Sequence, residues 1–148
     1  MHHNKIYDQP RYTISQAADL LKISIPTLRM YEKNFLFIPY QKESRQRLFS
    51  EGDLTRIRCI RTAINTKKFS IEAIKLIYSL IPCWDLKNCS AEDRSACPAY
   101  NSHGFPCWSF KHEDNLCELE NCRECVVYKE YSDCGKIKTG IQKISESV

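Results

Sequence analysis

Cysteine is the residue type in this chain whose number and spacing most directly suggest chemistry. Nine cysteines are present, and eight of them lie between positions 83 and 134, while Cys59 stands alone. Thiolates are soft ligands that suit zinc and iron-sulfur clusters. The clustered cysteines are therefore candidate metal ligands: Cys83, Cys89, Cys97, Cys107, Cys117, Cys122, Cys125 and Cys134.

The spacing of these cysteines contains an internal repeat. Each copy opens with a Cys-Trp pair, continues with two cysteines separated by seven residues, and closes with a tyrosine three residues later. The first copy comprises Cys83, Trp84, Cys89, Cys97 and Tyr100, and the second comprises Cys107, Trp108, Cys117, Cys125 and Tyr128. The second copy is longer, and Cys122 and Cys134 are additional to the pattern. We therefore predict two copies of one small unit.

Three interpretations of the cysteines are open. Stable disulfides are possible for an even number of cysteines, but they are rare in the reducing cytosol, where this chain is expected. Packing as free thiols would leave the segment short of a core, because it contains few aliphatic residues. Metal binding is favoured, since ligand bonds would supply the nucleus around which such a segment folds.

The spacing also bears on which metal is bound. Cys117-x4-Cys122-x2-Cys125 has the gaps of plant-type ferredoxins, and Cys97-Pro98 resembles a common junction at cluster ligands. Structural zinc sites usually contain paired Cys-x2-Cys motifs, of which this segment has one. We expect an iron-sulfur cluster, of the [4Fe-4S] type, with zinc as the alternative. His103 and His112 are expected to be surface residues rather than ligands.

Charge divides the chain near Pro82. Residues 1 to 82 carry a net charge of +7 and residues 83 to 148 a net charge of −3, within the total of +4. A basic half beside an acidic, cysteine-dense half is typical of a nucleic-acid-binding module joined to a separate module. We predict a mainly α-helical protein with three parts: a DNA-binding domain (11–82), a small irregular metal-nucleated domain (83–134) and a weakly ordered tail (135–148).

The basic half contains strong signals for helix starts. Thr13 and Gln16 have the spacing of a capping box, and apolar residues at helical spacing predict a helix over about 14–21. Ser24 is a good N-cap for a second helix, and Pro26 is tolerated in its first turn. Two short helices joined by a tight turn form a helix-turn-helix.

Further elements follow the second helix. The runs 35–38 and 45–49 predict a two-stranded ribbon, or wing. Ser50 and Asp53 predict the start of a third helix, in which Arg56 and Arg58 are expected on a solvated face. Ser70 caps a predicted fourth helix that Pro82 ends.

These segments resemble the DNA-binding domain of MerR-family regulators. The resemblance is carried by YTISQAADLLKISIPTLRMYEKNFLFIP and by SRQRLFSEGDLTRIRCIRTAINTKKFSIEAIKLI, and it spans residues 12 to 77. It implies a winged helix-turn-helix whose second helix enters the major groove. It also implies that Thr27, Arg29 and Tyr31 match residues at the groove and phosphates, and that Arg47 matches a backbone contact of the wing. The cysteine-rich part resembles small CW-type cysteine domains, for which no function is implied.

Side-chain chemistry supports the same surface. Arginines and lysines neutralise phosphates, and hydroxyls and helix N-termini favour phosphate oxygens. The candidate DNA contacts are Thr13, Ser24, Thr27, Arg29, Tyr31, Lys42, Arg45 and Arg47.

Two departures from the family pattern limit the resemblance. The wing turn has Glu43, Ser44 and Arg45 where the family usually has Asn-Gly, whose glycine supplies a positive φ. The long helix that usually forms an antiparallel coiled coil is replaced by Pro82 and the first cysteine. The usual dimer therefore does not follow from the sequence.

The expected function is sequence-specific DNA binding that regulates transcription and is gated by a cysteine-ligated redox or metal centre. The alternatives are a constitutive DNA binder stabilised by zinc and an iron-sulfur redox protein docked by its helix-turn-helix. The expected partners are promoter DNA and a second copy of the chain, with RNA polymerase as a further candidate. No catalytic motif is present, so an enzyme is not expected. The lack of a long apolar segment or secretory signal indicates a cytoplasmic protein without a membrane partner.

Overall fold

The computed structural model describes residues 5–110, 117 and 121–131. Contacts divide the chain into two compact units, Met1–Lys68 and Phe69–Val148. Both units are mainly helical, as the sequence predicts. Cys134, His112 and the predicted tail lie outside the described residues.

The first unit begins with short elements and the two helices of the helix-turn-helix. Helix α1 is Lys5–Asp8, strand β1 is Tyr12–Thr13, α2 is Ile14–Leu21 and α3 is Ile25–Lys33. The predicted capping box at α2 is confirmed, because the Gln16 amide donates to Thr13 Oγ1 at 3.3 Å and the Thr13 amide donates to Gln16 Oε1 at 2.9 Å. Ser24 caps α3, and Pro26 lies in the first turn of this helix.

The wing belongs to a three-stranded antiparallel sheet. Strand β2 is Tyr40–Gln41, β3 is Arg47–Phe49, and the strand order is β1-β3-β2. The prediction of a strand over 35–38 is wrong, since Leu36 and Phe37 are buried core residues and the strand forms only after Pro39. An apolar run on a coil segment can serve the core as well as one on a strand.

Helix α4 spans Glu51–Asn65 and completes the first unit. The predicted capping box of Ser50 and Asp53 is present and buried. Arg56 is also buried and lies 3.5 Å from Asp53, so its predicted position on a solvated face is wrong. The apolar core of this unit comprises Ala17, Ala18, Leu28, Tyr31, Leu36, Phe37, Phe49, Leu54, Ile57 and Ile60.

The second unit begins with α5, Ile71–Ser79, which Ser70 caps as predicted. Short elements follow: α6 (Cys83–Leu86), α7 (Ala91–Ala96), α8 (Pro98–Asn101), two 3-10 turns (Cys107–Ser109 and Cys122–Glu124) and α9 (Val126–Tyr131). Their buried apolar side chains are Ile74, Tyr78, Ile81, Ala99, Trp108, Val127 and Tyr128.

Helix α5 contacts other residues of the second unit. The Tyr78 ring lies 5.2 Å from that of Trp108, and the Gly104 amide donates to Ser79 Oγ at 3.3 Å. The units therefore divide after Lys68, before the boundary expected near Pro82. Within the described residues, no helix is long and apolar enough to cross a membrane.

Candidate functional site

The exposed side of α3 and the wing form one cleft in the first unit. Its volume is about 640 Å³. Its lining includes three predicted basic residues and the first turn of α2: Arg29, Arg45, Arg47, Thr13, Ile14 and Ser15. Cations and a helix N-terminus on one concave surface suit a phosphate backbone, because both attract anions. Most of the predicted basic side chains are thus brought together.

The hydroxyl groups of α3 are partly used within the protein. Ser24 Oγ accepts from the Thr27 amide at 3.2 Å and lies 2.7 Å from Thr27 Oγ1. One of the two hydroxyl groups donates its proton to the other, so one hydroxyl proton of the pair can be donated to a phosphate oxygen. Thr13 Oγ1 accepts a cap bond, so its own proton is also available.

The wing is tied to α3 by a bidentate ion pair. Arg47 Nε and Nη2 donate to the Glu32 carboxylate at 2.9 and 3.2 Å, and Arg47 Nη1 donates to the Arg45 carbonyl oxygen at 3.1 Å. The hydrogen bond and charge of Glu32 raise the pKa of Arg47, so this guanidinium stays charged. Since the Arg47 side chain is 38 % exposed, it positions the wing and still presents charge to the cleft.

The wing turn adopts its shape without glycine. The Arg45 amide donates to the Lys42 carbonyl oxygen at 2.8 Å, and the Lys42 amide donates to the Gln46 carbonyl oxygen at 2.9 Å. Arg45 takes a left-handed conformation, with φ of 69°. This pattern is a three-residue hairpin loop whose last residue is normally glycine. Lys42 is exposed at the wing but outside the cleft lining.

Tyr31 requires a correction as a candidate DNA contact. Its exposed fraction is only 2 %, and it lies in the core of the first unit. Tyr31 lies three residues after Leu28 on α3, so both side chains point from the same face of the helix into the core. Conversely, Ser15 and Gln46 line the cleft although the sequence did not single them out. The position of Ser15 in the first turn of α2 was the signal available for it.

The cysteines form a second candidate site in the second unit. A small cavity, of about 20 Å³, is lined by five thiols: Cys83, Cys107, Cys117, Cys122 and Cys125. Lys87, Trp108, Val127 and Tyr128 complete its wall. The other two described thiols of this unit, Cys89 and Cys97, are half-buried outside this lining.

The thiols influence each other's ionisation. A hydrogen bond from the Cys107 thiol lowers the pKa of Cys83, and the same bond together with burial raises the pKa of Cys107. Burial, followed by the charge of Cys125, raises the pKa of Cys117 to about 12. Cys107 and Cys117 are therefore neutral thiols at neutral pH, so a bound metal would displace protons from them.

The donor set suits a thiolate-bound metal, but the thiols are not spaced as a finished site. Across residues 5–110, 117 and 121–131, no three His, Cys, Asp or Glu side chains are placed to hold a metal ion. Metal binding by such thiols is coupled to folding, because the unfolded chain rarely contains a preformed site. His103 is exposed, as expected for a surface histidine.

The repeat predicted from the sequence has a structural counterpart. Trp84 packs edge-on against Tyr100 at 5.2 Å and 84°, and Trp108 packs against Tyr128 at 5.3 Å and 84°. Backbone bonds match as well, since Pro82 and Pro106 each accept from the amide three residues on, at 3.1 and 3.0 Å. The first cysteines of the two copies, Cys83 and Cys107, contact each other.

Cys59 lies on α4 of the first unit and is disulfide-bonded.

Comparison with known proteins gives one match. Residues 12–80 match the model of the MerR HTH family regulatory protein. No curated protein and no solved structure matches the chain. The match covers the helix-turn-helix, the wing, α4 and α5. Members of this family are DNA-binding regulators and not enzymes, and they commonly act as dimers.

Proposed function

We propose that this protein, whose residues 12–80 match the MerR HTH family model, is a DNA-binding transcription regulator gated by a cysteine-ligated centre. The observation that carries DNA binding is the cleft in which Arg29 on α3 and Arg45 on the wing meet beside the start of α2. Arg29 is exposed on the helix that would enter the major groove. Arg45 and Arg47 would contact the phosphate backbone.

The test of DNA binding is an Arg29→Ala variant. A guanidinium that reads a base contributes about 1–3 kcal/mol, so affinity for the selected DNA sequence should fall about 5- to 150-fold. Fluorescence anisotropy with DNA selected from a random pool measures this, and circular dichroism confirms that the fold is intact. Lys67→Ala is the matched control, because Lys67 is an exposed cation outside the cleft.

The salt dependence separates the two roles open to Arg29. Loss of a phosphate contact lowers the slope of log affinity against log salt by about 1, whereas loss of a base contact mainly relaxes sequence preference. If Arg29→Ala and Lys67→Ala bind the selected DNA equally well, α3 is not the recognition helix.

Gating by the cysteine centre is supported by the five thiols that line one cavity and by the contacts of α5. The family match includes α5, yet the core contacts of this helix are with Trp108 and Gly104 of the second unit. A change in the cysteine centre would therefore act on an element of the matched domain. A metal centre can shift such an element towards one of two conformations, because it stabilises the two conformations to different extents.

Two metal groups are compatible with the donor set. The Cys117-x4-Cys122-x2-Cys125 spacing supports an iron-sulfur cluster, and all three thiols line the cavity. The cavity volume of about 20 Å³ supports zinc, because it is near the space that one water molecule needs. An iron-sulfur cluster is larger than this cavity, so the side chains that line the cavity would have to move apart to accommodate it. Visible absorption with iron, sulfide and zinc analysis after anaerobic purification distinguishes them.

Removal of the metal tests the gate. We expect chelation, or oxidation of a cluster, to change DNA affinity about tenfold or more, which is within the usual range of coupling energies. Amide NMR should show loss of dispersed resonances from residues 83–131, with resonances of residues 12–65 retained. Unchanged DNA affinity after complete loss of the centre would leave a constitutive DNA binder with a structural metal.

A further inference from the structure

We propose that a single metal centre forms in the second copy of the repeat, ligated from Cys107, Cys117, Cys122 and Cys125 together with Cys83, and that Cys89 and Cys97 are not ligands. This inference rests on the proposed cysteine-ligated centre and assigns its ligands. The first copy then supports the site through its fold and contributes one thiol.

The two copies differ at one decisive position. Cys122 lies three residues before the last cysteine of the second copy, and its carbonyl oxygen accepts from the Cys125 amide at 3.1 Å. The equivalent residue of the first copy is Arg94, whose carbonyl oxygen accepts from the Cys97 amide at 3.2 Å. A guanidinium therefore occupies the place of a thiol. An arginine cannot ligate a metal, because its guanidinium stays protonated and has no free lone pair to donate.

Arg94 is held in this position by neighbours of its own copy. Its Nη2 donates to Asp85 Oδ1 at 3.2 Å, and its guanidinium carbon lies 6.0 Å from the centre of the Tyr100 ring. The fold of the first copy is thus completed by an ion pair and a cation-π contact. Its three cysteines lack a fourth thiol at this position.

Burial separates the copies in the same direction. Trp108 and Tyr128 of the second copy are 8 % and 1 % exposed, and both line the cavity. Tyr100, the equivalent of Tyr128, is 39 % exposed. A thiolate centre gains from apolar shielding that limits the access of water, and the second copy alone provides it among the described residues.

Cys83 joins the second-copy site through its contact with Cys107. Both thiols line the same cavity, and Cys107 is the main cause of the lowered pKa of Cys83. Five thiols then surround a space that needs four ligands for either zinc or a [4Fe-4S] cluster. The closure of the cavity around the metal would determine which four of the five thiols become ligands.

The repeat supplies a matched pair of variants, Cys125→Ser and Cys97→Ser, at equivalent positions. Iron and zinc per chain are measured for the full-length protein after anaerobic purification from medium containing both metals. Since loss of even an outer-shell partner costs about 10- to 100-fold in affinity, Cys125→Ser should lower the metal content at least tenfold after dialysis against a chelator. Cys97→Ser should retain the wild-type content.

A second measurement avoids variants that fail to fold. Native wild-type protein is treated with iodoacetamide, and the modified cysteines are identified by mass spectrometry before and after chelation. Cys89 and Cys97 should react in both states, whereas Cys107 and Cys125 should react only after chelation. Equal protection of Cys97 and Cys125 in metal-loaded protein would overturn the ligand assignment. Wild-type protein with no metal would instead overturn the proposed centre itself.

Discussion

At the scale of single residues, Arg45 combines backbone strain with a functional charge. Its φ of 69° is in the left-handed region, which costs an L-residue roughly 1–2 kcal/mol. The hairpin loop of the wing needs this conformation at its last position, where glycine would be unstrained. The charge of Arg45, directed to the cleft, is a reason to keep arginine there despite the cost.

Arg45→Gly should therefore stabilise the protein and weaken DNA binding at the same time. We expect the free energy of unfolding to rise by about 0.5–1 kcal/mol. Glycine relieves the strain of the folded state, but it also makes the unfolded chain more flexible, which offsets part of the gain. Urea denaturation measures this, and anisotropy measures the lower DNA affinity. Arg45→Ala removes the same charge but keeps the strain. A gain in stability for both variants would show that the conformation is not the cause.

At the scale of elements, the N-cap residues account for most of what the sequence predicted correctly. Thr13, Ser24, Ser50 and Ser70 each begin a helix at the predicted residue, because a cap is a local interaction within three residues. The strand over 35–38 failed because burial of Leu36 and Phe37 depends on distant partners. The burial of Arg56 and the contact of Cys83 with Cys107 are likewise non-local.

The cap of α4 should contribute more to stability than the cap of α3. Ser50 is 1 % exposed, and its Oγ accepts from the buried Asp53 amide at 3.1 Å, whereas Ser24 is exposed. Ser50→Ala leaves a buried donor unsatisfied and should cost about 2 kcal/mol, near the upper end for cap loss. Ser24→Ala should cost about 0.5–1 kcal/mol. Chemical denaturation of the two variants side by side tests the order, which equal losses would contradict.

At the scale of the whole molecule, α5 determines where the chain can be divided. Ile74, Tyr78 and Ile81 belong to the core of the second unit, although sequence reasoning assigned residues 11–82 to one domain. Periodicity identified α5 as a helix, but it could not show which core the helix enters. The metal ligands could not be identified from the sequence for the same reason, because the spacing of the cysteines does not show which thiols share a cavity.

A chain truncated after Lys68 should keep the folded first unit, and one truncated after Leu80 should gain no further helix. The reason is that α5 without Trp108 leaves Tyr78 exposed. Circular dichroism of the two truncated chains measures the helix content. Extra helix in the longer chain would place α5 with the first unit.

Both truncated chains should also be monomeric in analytical ultracentrifugation, since the sequence lacks the usual coiled-coil helix. The full-length protein should be dimeric through its cysteine-rich half. A dimer of the chain that ends at Lys68 would place the self-association contact in the DNA-binding unit.

The paired Cys-Trp motifs have a consequence for the ancestry of the second unit. Matched Trp-Tyr contacts and matched proline turns indicate duplication and fusion of a gene segment that encoded one module. In a symmetric homodimer, a residue on the two-fold axis touches its own counterpart, and the equivalent residues Cys83 and Cys107 likewise line one cavity. The ancestral module would have self-associated through this cysteine. Fusion would free each half to change independently, which accounts for Cys122 in the second copy and Arg94 at the equivalent position of the first.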